Sequence, residues 1–451
     1  VPHLTYPNIP AGAEGWLTSE LSKDSARPVL FVATSDREME QVAKQLEYFS
    51  PRANILTFPA WDCLPYDRVS PKQQIMAERL AVLSNLSHWE RSQSAKTPLP
   101  LGEAAESTSQ REGIDAGEGQ KNVPSGTQRS THPLPKSHPK DEISTSPSGR
   151  GYGKRLIVIT TINALTQKLP PRSLIAHASL HLKQHGTLDR DALVAFLAAN
   201  GYSRVSKVME AGEFALRGDI IDLFPSGYEH GFRIDIFGDD IESIQPFDPL
   251  SQRSVGDRVS EISLHPVSEV LFSDERVENF RRRYRELFGA VSKPDPLYAS
   301  ISESRNYPGM EHWLPLFYQQ LDTLYDYLPQ NVLTIFASHA EKSLQDREEI
   351  IADYYNARKS MPAGDVAYHP MEPEALYIVA KQWQKLAGGR DAVWLSPFAG
   401  DDSMIRTFDD SNGNLAPNKS LPPLRGEVRR GGETLGEEPG NNTQSKSLGR
   451  A

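Results

Sequence analysis

Gly149-Arg-Gly-Tyr-Gly-Lys154 has the glycine content of a loop that cradles phosphates. Such a loop needs Gly, four residues and then Gly-Lys-Ser/Thr, so that backbone N–H groups wrap the phosphates, the lysine reaches them and the hydroxyl holds magnesium. Here Ser148 stands at the first glycine position and Arg155 at the hydroxyl position, and a strand pattern follows the loop instead of preceding it. Pro10-Ala-Gly-Ala-Glu-Gly-Trp16 sits where an N-terminal nucleotide loop would be, but carries no Lys-Ser/Thr pair. Neither segment is expected to bind ATP, and no catalytic group is assigned.

His177, His181 and His185 recur every four residues. On a helix they would form a ligand stripe. The surrounding alternation reads as strand, where residues four apart are separated by about 13 Å. Metal ligands lie about 2 Å from their ion, so no metal site is expected. Asp219, Asp222, Asp235, Asp239 and Asp240 could serve acid/base or metal chemistry. Arg217 and Arg233 interleave with them and Gly238-Asp239-Asp240 reads as a turn, so turn chemistry and cross-strand ion pairs account for the cluster. No Gly-x-Ser-x-Gly elbow is present, and the single cysteine, Cys63, has no histidine near it in sequence and reads as a small buried hydrophobe. Arg281-Arg-Arg283 with Arg285 reads as the solvated face of a helix whose other face is Val277, Phe280, Tyr284 and Leu287.

Two arginines remain. Arg204 follows a helix stop at Gly201. Arg217 lies in the strand Phe214-Ala-Leu-Arg-Gly218, where Phe214 and Leu216 alternate inward and Arg217 points the other way. An exposed arginine beside sheet backbone suits a protein–protein anchor. It equally suits a surface ion pair, here with Asp219 or Glu213.

The elements that must position these residues are α/β in type. Val29–Ala33, Ile55–Phe58, Leu156–Thr160, Leu333–Phe336 and Ala392–Leu395 are short apolar runs of the buried-strand kind. Helical spacing marks Asp36–Phe49, with Met39, Val42, Ala43, Leu46 and Phe49 on one side. It also marks Ile75–Leu86, entered through a capping Ser70, Pro71 and a reciprocal Gln73. Asp189 and Ser273 cap further helices. A more β-rich α+β segment, 171–265, lies between the α/β ends. From about Glu90 to Gly153, and again from Asp409 to Ala451, large apolar residues nearly vanish, so both stretches read as disordered. Of 451 residues 38% are hydrophobic and formal net charge is -10, which argues against nonspecific nucleic-acid binding by the chain as a whole. One cysteine, no bilayer-length apolar run and no visible signal peptide fit a reducing cytoplasm.

Several blocks together resemble the N-terminal part of the transcription-repair coupling factor. They are Phe58-Pro-Ala-Trp-Asp-Cys-Leu-Pro-Tyr-Asp-Arg-Val-Ser-Pro71 with Arg79-Leu80, Gly212–Pro225, Phe232–Ile244, Phe247-Asp-Pro-Leu-Ser-Gln-Arg-Ser254 and Gly309–Tyr318. The sheet blocks are shared with the repair helicase UvrB. The Trp-x-x-Leu-Pro-Tyr-Asp and Gly-x-Glu-x-Trp blocks belong to the coupling factor, and UvrB would carry an intact nucleotide loop. The resemblance covers about Pro7–His88 and Lys154–Pro397. It implies a UvrB-like module, with a degenerate helicase-type parallel-sheet domain (1a and 1b) and an inserted α+β domain 2. The implied layout is 1–89 and 154–170 for domain 1a, 90–153 for a disordered insert, 171–265 for domain 2, 266–408 for domain 1b and 409–451 for a disordered tail.

The resemblance also implies that domain 2 binds UvrA and that the contacting arginines fall on Arg204 and Arg217, while a third basic position falls on Ala215. The full-length family adds RNA polymerase and double-stranded DNA as partners and an ATP- and magnesium-dependent motor, none of it visible in this sequence. The expectation is a UvrA-recruiting, non-enzymatic module without cofactor. The alternative is a UvrB-like DNA-dependent ATPase with an atypical nucleotide loop.

Overall fold

The computed structural model describes residues 4–94, 155–397 and two short strands at 406–408 and 415–417, apart from breaks at 8, 26, 292–294, 361–367, 380–381, 384–385 and 387–389. In chain order the strands up to 397 are β1 (Leu4–Tyr6), β2 (Val29–Ala33), β3 (Asn54–Phe58), β4 (Leu156–Thr161), β5 (Leu180–Lys183), β6 (Ser203–Arg204), β7 (Glu213–Arg217), β8 (Ile220–Leu223), β9 (Gly231–Phe237), β10 (Asp240–Phe247), β11 (Glu261–Leu264), β12 (Leu333–Phe336) and β13 (Ala392–Leu395).

Apolar runs from both ends of this region form one parallel sheet in the order β1-β13-β12-β2-β4-β3. Every residue of β2, β4 and β12 is buried, which is why these runs show no polar alternation. β2 pairs Leu30 with Val158 of β4 on one side and with Thr334 of β12 on the other. Helix Asp36–Phe49 covers the sheet with Met39, Val42 and Leu46, and its cap is Ser35, whose side chain accepts from the Glu38 N–H. Phe49, the last residue of this helix, was expected on that buried stripe and is instead 37% exposed.

Helix Gln73–Ser94 buries Met76, Ala77, Leu80 and Leu83 as expected. It runs further than its sequence pattern suggested, past the expected start of the insert at 90, since Trp89 still packs on the core. Its entry also differs. Ser70 does not cap it: the Ser70 hydroxyl donates to Glu311 Oε2 at 2.8 Å and accepts from the Gly309 N–H at 2.9 Å. Gln73 reaches the Gly212 carbonyl at 2.7 Å, and Asp62 Oδ1 takes the Lys72 N–H instead. The residues expected to close a local cap are spent on long-range ties.

The β-rich middle forms a second sheet, β10-β9-β8-β7-β6, antiparallel except for the β6–β7 pair, and a separate β5–β11 pair. Leu193 and Leu197 of helix Arg190–Ala199 pack with Phe214, Ile221, Leu223, Phe232 and Ile234 to form its core. Asp189 caps this helix, as read. Ser273 likewise caps helix Asp274–Phe288, whose Val277, Phe280 and Tyr284 are buried. Leu287, assigned to the same face, is 60% exposed, and Phe288 packs in its place. The rest of the 90–153 stretch lies outside the described residues. Within the expected tail, Leu415–Pro417 pairs antiparallel with Arg406–Phe408, a strand pair that the composition did not suggest.

The seam between the two sheets is polar and closed. Arg79, on helix Gln73–Ser94, donates from Nε to Glu269 Oε1 at 2.7 Å and from Nη1 to the Pro59 carbonyl at 2.6 Å. Both side chains of the pair are fully buried, and the guanidinium lies 4.3 Å from the Phe58 ring centroid. Tyr318 donates to the Glu269 carbonyl and accepts from the Leu271 N–H. The segment that leaves the second sheet is thus fixed to the first.

Beside this pair the two sequence blocks specific to the coupling-factor resemblance meet, although some 240 residues separate Ser70 from Glu311. His312 stacks on Tyr66 and meets Trp61 edge-on. The Tyr66 carbonyl accepts from Arg358 Nε and from the Tyr368 hydroxyl.

Two predictions follow from this seam. Arg79→Ala leaves the Glu269 carboxylate buried without its partner, and equilibrium unfolding should show a loss of about 3–5 kcal/mol, part of which the double apolar replacement R79M/E269L recovers. The second concerns pH. Burial raises the Glu311 carboxyl to about 7 from 4.5, so its protonated form contributes stability that is complete below 4.5 and is lost as pH rises through about 7. Burial lowers the His312 ring to about 4 from 6.5, so its neutral form contributes stability that is complete above 6.5 and is lost as pH falls through about 4. The two slopes oppose each other between 4.5 and 6.5. Glu311→Gln should therefore leave stability rising from pH 4 to 6.5 and flat from 6.5 to 8, where the parent chain declines, as thermal melts across that range would record.

Candidate protein-binding surface

Strand β7 sorts its residues by alternation. Phe214 and Leu216 face the core, and Ala215 and Arg217 lie on the opposite face. On that outer face Asp222 takes both Arg233 Nε at 2.7 Å and Nη2 at 3.0 Å, and the Arg233 guanidinium stands 5.3 Å from the Phe247 ring centroid. Hydrogen bonding to Asp222 raises the Arg233 guanidinium above its ordinary value. Asp235 accepts from the Ser243 hydroxyl at 2.7 Å. Asp219 and Asp239 occupy the two-residue turns β7–β8 and β9–β10, where Gly218 and Gly238 take φ of +59° and +62° and other residues would be strained. Their carbonyls accept from the Ile236 and Leu188 N–H groups. Asp222 forms the cross-strand ion pair and Asp219 and Asp239 sit in the turns, in keeping with the turn chemistry and pairing read from sequence.

Arg204 lies exposed on the short edge strand β6, paired in register with Phe214. Arg217 is exposed at the end of β7 and donates from Nη2 to the Ser206 carbonyl at 2.6 Å. The segment 205–210 therefore runs between the two arginines. Of the ion-pair partners considered for Arg217, Glu213 is otherwise engaged: its Oε2 accepts from the Met209 and Glu210 N–H groups. A neutral carbonyl orients Arg217 without cancelling its charge.

Ala215, where the family resemblance would place a third basic residue, is 1% exposed and packs with Val208 and Phe247. Val208 seals the outer face there, and no surface remains at that position for a charged contact. Sequence reading missed this cover, because nothing in the spacing of Val205 to Met209 marks a loop folded back on the sheet. Exposed apolar side chains of this sheet include Met209 on this segment, Leu250 on the loop after β10 and Phe237 at the end of β9.

The other candidate chemistries disperse. His177 ends helix Arg172–His177, His181 sits on β5, and His185 occupies a turn with φ of +64°. The three do not share one strand, contrary to the alternation, because a helix ends and a turn begins within nine residues. Their rings engage Ser173 O for His177 and Ser263 Oγ for His181. Cys63 is half-buried, and burial together with the nearby Glu311, Asp62 and Asp67 carboxylates pushes its thiol up to about 12, which disfavours the thiolate. On helix Asp274–Phe288, Arg281 pairs with Glu278, Arg282 bonds Asn279, and Arg283 donates to the Pro315 and Tyr318 carbonyls.

The loop between β1 and helix Glu14–Ser25 does lie in the strand–loop–helix position of a nucleotide loop. Two amides at its helix end are already engaged: Gly12 N–H donates to Glu14 Oε2 at 2.9 Å and Gly15 N–H to Gln45 Oε1 at 2.8 Å. A Cβ on Gly15 would lie 2.4 Å from Gln45 Cβ. A carboxylate and a carboxamide occupy the donors that phosphates would need. Gly149–Lys154 lies outside the described residues.

A helicase-type parallel sheet joined to an antiparallel sheet with this arginine-bearing edge defines a UvrB-like module, and residues 180–270 match the family model described as the UvrB interaction domain. Over a wider span the chain is similar to transcription-repair-coupling factors. It is 28% identical over 381 residues to that of Haemophilus influenzae, 28% over 398 residues to that of Rickettsia bellii and 27% over 330 residues to that of Escherichia coli. These matches cover 83%, 87% and 73% of this chain but 27%, 30% and 23% of the relatives. The chain spans less than a third of the length of these relatives.

Restoring a basic residue at the third position should fail. Ala215→Arg must displace Val208 or Phe247 from a filled site, and the expected cost is about 1–3 kcal/mol in chemical unfolding, with no gain in partner binding.

Proposed function

We propose that this chain is the UvrA-recruiting, non-motor part of a transcription-repair coupling factor, and that Arg204 and Arg217 are its contacts with UvrA. The single observation that carries the reading is the pair of exposed arginines flanking one segment of a sheet that matches the UvrB interaction domain. Arginine at a sheet edge suits carboxylates on a partner, because its planar fork can hold two oxygens at once. In a longer parent the same surface would bring UvrA to RNA polymerase stalled on double-stranded DNA. ATP and magnesium would be handled by the motor of that parent, and the setting would be the cytoplasm. The engagement of Gly12 and Gly15 by Glu14 and Gln45 favours this reading over a DNA-dependent ATPase.

Titration of purified UvrA by the chain and by the double charge reversal R204E/R217E tests the assignment. Binding should weaken at least about a hundredfold in the variant, since two desolvated contacts become repulsive. Equal affinity with an unchanged circular dichroism spectrum would remove both residues from the interface.

A further inference from the structure

The loop Asp248–Arg253 is built to hold one leucine out. Asp248 Oδ1 accepts from the Ser251 N–H at 2.6 Å, and the Asp248 N–H donates to the Arg253 carbonyl at 2.9 Å. Gln252 adopts φ of +60°, a left-handed conformation uncommon for a residue with a side chain. Its Nε2 donates to the Pro249 carbonyl at 2.6 Å within the loop and to the Val208 carbonyl at 2.9 Å across to the segment that runs between the arginines. Phe247, at the loop's entry, packs on Val208 and Ala215. Every tie holds the backbone. The Leu250 side chain is left 77% exposed, and Met209, next to Val208, is 37% exposed.

A flexible loop tip with an exposed leucine would be unremarkable. A tip braced by its own hydrogen bonds, in a positive-φ conformation and tied to the segment that runs between the arginines, has already lost the entropy that a partner would otherwise have to remove. From this we infer that Leu250, on a loop tied through Gln252 to the segment that carries Met209, is the apolar anchor of the UvrA interface, and that Gln252 is its positioning residue. The inference rests on the proposed UvrA binding. The complementary surface on UvrA is an apolar socket edged by carboxylates that meet Arg204 and Arg217. The arginines supply a contact that salt weakens, and Leu250 supplies one that salt does not.

Calorimetric titration of UvrA at two salt concentrations separates these parts. Leu250→Ala should weaken binding about tenfold at both concentrations, leaving the salt dependence of the parent chain intact. Leu250→Asp should weaken it further. Gln252→Ala, which releases the loop but keeps Leu250, should raise the dissociation rate in stopped-flow kinetics, and an unchanged rate would remove Gln252 from that role. Leu250 is exposed, so its variants fold as the parent does, and an unchanged circular dichroism spectrum checks the Gln252 variant. If the parent chain binds UvrA, the arginine variants weaken it and Leu250→Ala does not, the anchor is refuted while the proposed function stands. If the parent chain itself does not bind UvrA, the proposed function fails first and the anchor with it.

Discussion

The Arg79–Glu269 pair sets the relation between the two large sheets. Removing a guanidinium and a carboxylate from water is costly, and their mutual attraction offsets that only when geometry and surrounding hydrogen bonds are good. Here the guanidinium also meets the Pro59 carbonyl and the Phe58 ring, and the Glu269 backbone is held by Tyr318, while Arg79 Nη2 and Glu269 Oε2 find no hydrogen-bond partner among the described residues. Any packing that kept the seam closed but separated the two side chains would leave a charge buried alone. The pair therefore selects one docking of the second sheet on the first. Glu269 lies two residues beyond Val267, whose N–H is bound to the Asn200 carbonyl at the end of helix Arg190–Ala199. Through that link the constraint reaches the edge that carries Arg204.

Rigidity is then handed outward by short steps. Gln73 binds the Gly212 carbonyl, Gly212 N–H binds the Phe224 carbonyl, and the Glu213 side chain closes the turn at Met209 and Glu210. Val208, held by that turn, covers Ala215 and Phe247 and is itself tied to Gln252. Each exposed side chain of the proposed interface stands one or two residues from a buried or doubly bonded neighbour. A surface prepared in this way loses little freedom on binding, so a few contacts suffice for affinity.

The parts legible in the sequence were those governed by local pattern. Val29–Ala33, Leu333–Phe336 and Ala392–Leu395 are strands with the bounds that their apolar runs indicate, and Asp189 and Ser273 cap the helices they precede. Alternation also placed Arg217 on the outer face. What was not legible depended on distant partners. Ser70 has the spacing of a helix cap, but its hydroxyl is claimed by residues 309 and 311, which no local rule can foresee. Arg79 and Glu269, 190 residues apart, look like ordinary surface charges until the seam buries them. The cover of Ala215 by Val208 escaped for the same reason, since β6 is only two residues long and offers no period to count.

The chain as a whole is negative, with formal net charge -10, yet the interface proposed for it is basic. The two facts are compatible because screening divides the distances. At physiological ionic strength charges more than about 8 Å apart in solvent scarcely interact. An approaching acidic surface therefore feels the negative total weakly and the nearest side chains strongly. Near Arg217 the Asp222 charge is offset by Arg233, while Asp235 and Glu213 are held by neutral partners, the Ser243 hydroxyl and two backbone amides, and keep their charge. At contact the field is therefore that of the nearest side chain, the exposed Arg217 guanidinium. Such an arrangement gives little steering at long range and strong discrimination at contact, which suits a recruitment surface whose partner must be recognised rather than merely attracted.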